Sequence, residues 1–244
     1  MSIAHLTFID IETVPEIQAE KLKLLTGGDR TIGLFNLFKK RFNKESFKDQ
    51  ERQYSTPEEA WDAKAALYAE YGKVVAISIG KWIDEDKTFY IRSITGRDES
   101  EILLKAEESI KRSGGTHLVA HNGLEFDFAF LMRRYIIHGL TNSMPPQLKA
   151  FGIKPWDLKL EDTMKMWSGS AWNYRCSLEL LCEIMQITNP KKAIEGTSVA
   201  ELFYGDDADA LKKIGEYCSG DVLACAQVYS RIKGLPDIET VEYA

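Results

Sequence analysis

Asp10 and Glu12 flank Ile11 at the end of the first apolar run of the chain, Ile3 to Ile11. On a strand, residues two apart face the same side. The two carboxylates would then stand roughly 6–7 Å apart at their backbones, near enough to share a divalent cation. With 15 Asp and 22 Glu in 244 residues, about 1.4 such Asp-x-Glu pairs are expected by chance, and three occur, at 10/12, 49/51 and 237/239. Only the first closes a strand-like run, where two acids repel each other unless something cationic lies between them; a solvated strand end is the other reading of the pair. A second cluster, Asn122-Gly123-Leu124-Glu125-Phe126-Asp127, leads from a short apolar strand into a helix. Asp127 falls in the first helical turn, a position that the helix dipole alone would favour for an acid. In the third, Tyr217-Cys218-Ser219-Gly220-Asp221, a spacing of four puts a phenol and a carboxylate on one helix face, about 6 Å apart along the axis.

The elements that must carry these residues can be read from periodicity and punctuation. Ile3–Ile11, Lys73–Trp82, Thr88–Ile94 and Leu118–Ala120 are strand-like, and Asp84-Glu85-Asp86-Lys87 reads as the turn of an antiparallel hairpin. A helix starts at the Thr56 cap with Pro57 in its first position and runs to Gly72. Further helices are expected over Asp98–Arg112, ended by Gly114-Gly115, over Phe126–His138, over Leu178–Ile187 with Ser177 as cap, and over Asp207–Ile232. This order predicts one α/β domain over residues 1–244 with a helical insertion at about 15–72 after the first strand. Sites in open α/β sheets gather beyond strand ends, and the strand before Asn122 is expected beside the strand that ends at Asp10.

Taken together and in this order, the three clusters resemble the three motifs of the DEDD 3′-5′ exonuclease superfamily. Asp10-Ile11-Glu12-Thr13 is similar to its first motif, Asn122 to Asp127 to its second, and Tyr217 to Asp221 to its third. The alternative third motif carries a histidine five residues before the last aspartate; here that position is Glu216, so the DEDDy type is the one resembled. With Trp167-Ser168-Gly169-Ser170, the pattern is most similar to predicted exonucleases related to the exonuclease domain of family B DNA polymerases, over roughly residues 1–14 and 73–233. The resemblance implies a ribonuclease-H-like mixed sheet of about five strands, the first three antiparallel, flanked by helices. It also implies metal-dependent hydrolysis at a 3′ end, with Asp10, Glu12, Asp127 and Asp221 holding two divalent cations and Tyr217 orienting the attacking water. An all-oxygen ligand set favours Mg²⁺ or Mn²⁺ over zinc. Thr13 and Asn122 are candidates to contact the terminal nucleotide.

A formal charge of −6 argues against a protein that coats nucleic acid with its whole surface. Nine Lys or Arg against four acids between Lys21 and Arg52 make the insertion the basic exception. Lys39-Lys40-Arg41 with Phe35, Phe38 and Phe42 reads either as a nucleic-acid contact with interleaved aromatics or as an amphipathic helix with a solvated face. Cys176, Cys182, Cys218 and Cys225 have spacings suited to packing rather than to zinc, and His121 is expected to be structural. The N-terminus does not look like a secretion signal and no apolar run reaches a membrane span, so a cytoplasmic protein without membrane contact is expected. The expected partner is a single-stranded 3′ end, DNA in preference to RNA, delivered by a polymerase or repair complex or met freely. The alternatives are an RNA-trimming exoribonuclease and a catalytically silent nucleic-acid-binding module.

Overall fold

A computed structural model describes residues 3, 5–25, 29–42, 54–83, 88–171, 174–188 and 198–244. Apolar alternation along the first segment produces β1 (Leu6–Pro15), whose buried Ile9 and Ile11 face one side while Asp10 and Glu12 face the other. It pairs antiparallel with β2 (Gly72–Ile83), which in turn pairs antiparallel with β3 (Thr88–Thr95). The three antiparallel strands are therefore as expected, although the turn predicted at Asp84–Lys87 lies outside the described residues. On the far side of β1, β4 (His117–Ala120) pairs in parallel, and β5 (Leu160–Asp162) continues the sheet beyond it.

Among the described residues the sheet has six strands rather than about five. β6 (Thr240–Tyr243) adds to the outer edge of β3 in parallel, giving the order β5-β4-β1-β2-β3-β6. Two boundaries also move. β1 does not stop at the acids but continues to Pro15, because β2 goes on supplying ladder partners across a bulge between Glu12 and Thr13. The helix capped by Thr56 ends at Lys64, tightens into a 3-10 turn over Ala65–Leu67, and never reaches Gly72. Gly72 instead opens β2, where a Cβ would lie 3.0 Å from the Ala65 oxygen and 3.1 Å from the Val14 oxygen, so the close backbone approach requires glycine.

The insertion contributes α1 (Arg30–Phe42) and α2 (Pro57–Lys64) around a small core of its own. Phe35 and Phe38 are buried edge-on against Trp61, at 5.4 and 5.3 Å between ring centroids. These aromatics turn inward, so α1 is an amphipathic helix with Lys39, Lys40 and Arg41 on its exposed side; Lys44, Lys48 and Arg52 of the basic segment lie outside the described residues. Buried Arg134 ties the insertion to the body, donating to Glu99 Oε1 at 2.8 Å and to the Ala69 carbonyl at 2.8 Å.

Helices cover both faces of the sheet. On the Ile9 and Ile11 side lie α3 (Glu99–Ser113), capped by Asp98 and ended by left-handed Gly114, and α4 (Asp127–Ile137). Then come α5 (Thr163–Ser168), α6 (Leu178–Ile184) capped by Ser177, and α7 (Val199–Tyr204). The long α8 (Ala210–Lys233) packs over Phe8, Phe89 and Val119 on the opposite face. Gly80 sets how closely α8 approaches, since a Cβ there would lie 2.6 Å from Val222 Cγ1 and from the Phe89 ring. Ser93 Oγ, from the sheet, donates to the Gly215 carbonyl of α8 at 3.0 Å. No described helix is long and apolar enough to cross a membrane.

Candidate active site

The site forms where β1 passes beyond the end of β4. Phe8 lies opposite Val119, so Asp10 and Glu12 extend past Ala120 into the space between α4 and α8. α8 is anchored directly over them: the Cys218 thiol donates to the Asp10 carbonyl at 3.3 Å, and one ligand atom each from Asp10, Glu12 and Cys218 fall within 4.8 Å of one another. Asp221 follows Cys218 by three residues and is 9% exposed. Tyr217 is half-buried on the same helix, four residues before it. From the other side, Asp127 enters as the first residue of α4, and its Oδ1 accepts from the Ile11 backbone N–H at 3.2 Å, between the two β1 carboxylates.

Four acids, Asp10, Glu12, Asp127 and Asp221, are thus brought within electrostatic reach of one another, and the titration of Asp10 and Asp127 reflects it. Burial, followed by the charges of Asp221, Asp127 and Glu12, holds the Asp10 carboxyl well above the usual carboxylate range. Burial likewise pushes Asp127 up to about 7, against the lowering effect of backbone N–H groups at its own position and at Ile11, with the charges of Asp162 and Asp221 adding to the rise. Asp10 Oδ2 is buried and receives no hydrogen bond among the described residues. A crowded, buried, incompletely solvated carboxylate set of this kind suits a hard divalent cation. Cys218 does not belong to that donor set: burial and the nearby Asp10 and Glu12 charges push its thiol well up, so it stays protonated and serves as a donor to backbone.

The loop that carries the second cluster is held by a residue that sequence reasoning missed. Asp162, buried at the end of β5, accepts through Oδ1 from the N–H groups of Asn122 (3.0 Å), Met164 (2.9 Å) and Lys165 (3.3 Å), and through Oδ2 from Leu124 (3.1 Å). It caps α5 and fixes the turn before Asp127 at once. Its only sequence signal is an acid ahead of a short helical run, which does not distinguish it from any other cap. Asp162→Ala would leave four backbone donors without their acceptor. The expected result is destabilisation by about 2–4 kcal/mol, together with loss of hydrogen-exchange protection at Asn122 and Leu124, read by thermal melting and amide exchange.

Asn122 adopts a left-handed backbone, φ 62°, and its side-chain oxygen is buried without a hydrogen-bond donor among the described residues. Gly123 beside it leaves no room for a side chain, since a Cβ would lie 2.5 Å from Ala120 Cβ. The Thr13 hydroxyl donates to the Ala66 carbonyl at 2.7 Å, so it serves first to anchor the insertion beside the bulge. His121 is a structural bridge. Its Nε2 faces the Cys176 carbonyl at 2.9 Å and must carry the proton, leaving Nδ1 to accept from the Thr163 hydroxyl at 2.9 Å. All four cysteines are buried free thiols.

A mixed sheet with three leading antiparallel strands, helices on both faces and an acid cluster beyond the central strand ends defines a ribonuclease-H-like exonuclease fold. The chain belongs to the family described as predicted 3′-5′ exonucleases related to the exonuclease domain of PolB, whose model matches residues 66–243. Asp127, Tyr217 and Asp221 lie inside the matched region, and the fold brings Asp10 and Glu12, from the segment ahead of it, to Asp127 and Asp221. No curated protein matches the chain closely enough to count as a relative.

Proposed function

We propose that the protein is a metal-dependent 3′-5′ exonuclease that hydrolyses the terminal phosphodiester of single-stranded DNA by a two-metal-ion mechanism, with residues 1–244 acting as one catalytic unit. The observation that carries this reading is the convergence of Asp10, Glu12, Asp127 and Asp221 at one strand end, with Asp10 Oδ2 buried and given no donor by the described residues. In this reading Asp10, Glu12 and Asp221 hold one cation and Asp10 with Asp127 holds a second, Mg²⁺ or Mn²⁺ by the hardness of the oxygen donors. Bound there, the cations would supply a nucleophilic water at neutral pH and offset charge on the phosphate and the departing 3′ oxygen. Tyr217 orients that water by hydrogen bonding with help from Glu12; a phenol with a pKa near ~10 is a poor base at neutral pH. Asn122 offers its side-chain oxygen to the terminal nucleotide, and Thr13 its backbone.

End-labelled single-stranded DNA and RNA, incubated with Mg²⁺ or Mn²⁺, test this directly. Stepwise shortening from the 3′ end, abolished by chelator and by Asp221→Ala, is the expected outcome, faster on DNA. Shortening of RNA alone would redirect the reading to an exoribonuclease. Binding of either strand without any cleavage would leave a silent binding module in its place.

A further inference from the structure

Glu125 stands two residues before Asp127, so its Cα lies within about 7 Å of that of a proposed metal ligand. Unlike Asp127 it points outward, and two cations from separate segments converge on it. Lys165 Nζ donates to Oε1 at 2.5 Å, and the Arg175 guanidinium pairs with Oε2. Both cations sit on fixed supports. The Lys165 backbone is held in the first turn of α5 by the Asp162 cap, and Arg175 precedes Cys176, whose carbonyl is held by His121. Their side chains remain 43% and 67% exposed, with Glu125 at 38%, so the triplet is within reach of solvent.

Exposed ion pairs are worth roughly 0–1 kcal/mol each, so this arrangement adds little to the fold and is readily exchanged. What it does is hold two positive groups against the loop that leads into Asp127, beside acids whose charge repels a polyanion. A carboxylate gripped by a lysine and an arginine from two segments is also a fair mimic of a phosphate held the same way. Resting on the exonuclease reading, we propose that Lys165 and Arg175 form a clamp for a backbone phosphate of the incoming single strand, and that Glu125 occupies the clamp while no strand is bound. Glu125 is then a competitor of substrate, displaced when a phosphate with more charge and more acceptor oxygens takes its place.

A structural strap and an occupied clamp differ in sign. If the triplet only braces the loop, removing any member loosens the site and weakens binding. If Glu125 competes with phosphate, Glu125→Gln strengthens binding while Lys165→Ala and Arg175→Ala weaken it. Fluorescence anisotropy with a labelled single-stranded oligonucleotide, on full-length protein carrying Asp221→Asn to prevent hydrolysis and with Mg²⁺ present, reads both directions. Lys165→Ala and Arg175→Ala should each raise Kd roughly threefold to tenfold and reduce the salt slope of log Kd by about one, while Glu125→Gln should lower Kd roughly threefold. The slope reports phosphate contacts independently of stability, and glutamine replaces alanine at either cation should an alanine variant not fold. Weaker binding by Glu125→Gln, or no change in Kd and slope for both cation variants, would overturn the clamp while leaving the exonuclease reading intact. A folded parent protein that binds neither DNA nor RNA would remove both.

Discussion

Asp10→Asn is expected to reduce hydrolysis by on the order of 10³-fold or more and, in chelator, to raise the melting temperature of the protein at neutral pH. The two effects have one cause. Asp10 is the carboxylate proposed to serve both cations, so its loss removes a ligand from each. Without cations, the same group is buried facing Asp221, Asp127 and Glu12, so at neutral pH it must either hold a charge against their repulsion or take up a proton at a cost, and it carries an oxygen that no described residue solvates. A neutral amide of equal size relieves that repulsion. A gain on the order of 1 kcal/mol would move the midpoint by about 2–4 °C in a chain of this length. Single-turnover rates on an end-labelled strand and melting curves in chelator supply the two readings. Asp162→Ala is the contrast: also a buried acid, but one whose oxygens accept four backbone hydrogen bonds, so its loss lowers the midpoint. A drop in melting temperature for Asp10→Asn as well would mean that Asp10 supports the fold and that the carboxylates are not held against their own repulsion.

That contrast also marks what the sequence could and could not convey. Asp221, in the middle of α8, stood out only through Tyr217 four residues before it and the order of the three clusters along the chain, whereas Asp10, Glu12 and Asp127 stood out because apolar periodicity breaks at them. The strands around them were legible for the same reason: Ile, Val and Phe alternate in β1 and β2, and both faces are buried. β6 lacks that pattern. Thr240–Tyr243 is mostly exposed and becomes a strand only because the outer edge of β3 offers it a ladder. β5 is three residues long, too short to show a period of two. Asp162 and the Glu125 triplet were invisible for a further reason. Their partners lie about forty and fifty residues away in the chain, and nothing in the local residue types distinguishes a loop brace or a paired surface glutamate from an ordinary polar position. The bulge after Glu12 belongs to the same group, since it arises from the pairing of β1 with β2 rather than from either strand alone.

The crowded carboxylates should make stability in chelator fall as pH rises. In the folded, cation-free protein Asp127 titrates near 7 and Asp10 is also raised well above its ordinary value, with burial the first cause in both. For a carboxyl whose folded pKa is raised, the protonated form is favoured by folding. The stability it contributes is complete below the unfolded value near ~4 and is lost as pH rises through the folded value. For Asp127 the loss falls between about pH 4 and about pH 7, Asp10 adds to it in the same direction, and it amounts to a few kcal/mol at most, since neighbouring acids titrate together and share it. Cations bound by the ionised carboxylates should reverse the trend, because the repulsion that destabilises the free site is the attraction that holds the ion. The increase in melting temperature produced by Mn²⁺ is therefore expected to be larger at about pH 8 than at about pH 6, where protons compete for the same oxygens. Titration calorimetry should show the matching decrease in Mn²⁺ affinity at the lower pH, with protons released on binding. A chelated protein that grows more stable from about pH 6 to pH 8 would contradict the charge crowding itself. A Mn²⁺ effect independent of pH would place the cation elsewhere, because no site built from Asp10 and Asp127 could bind it without displacing their protons.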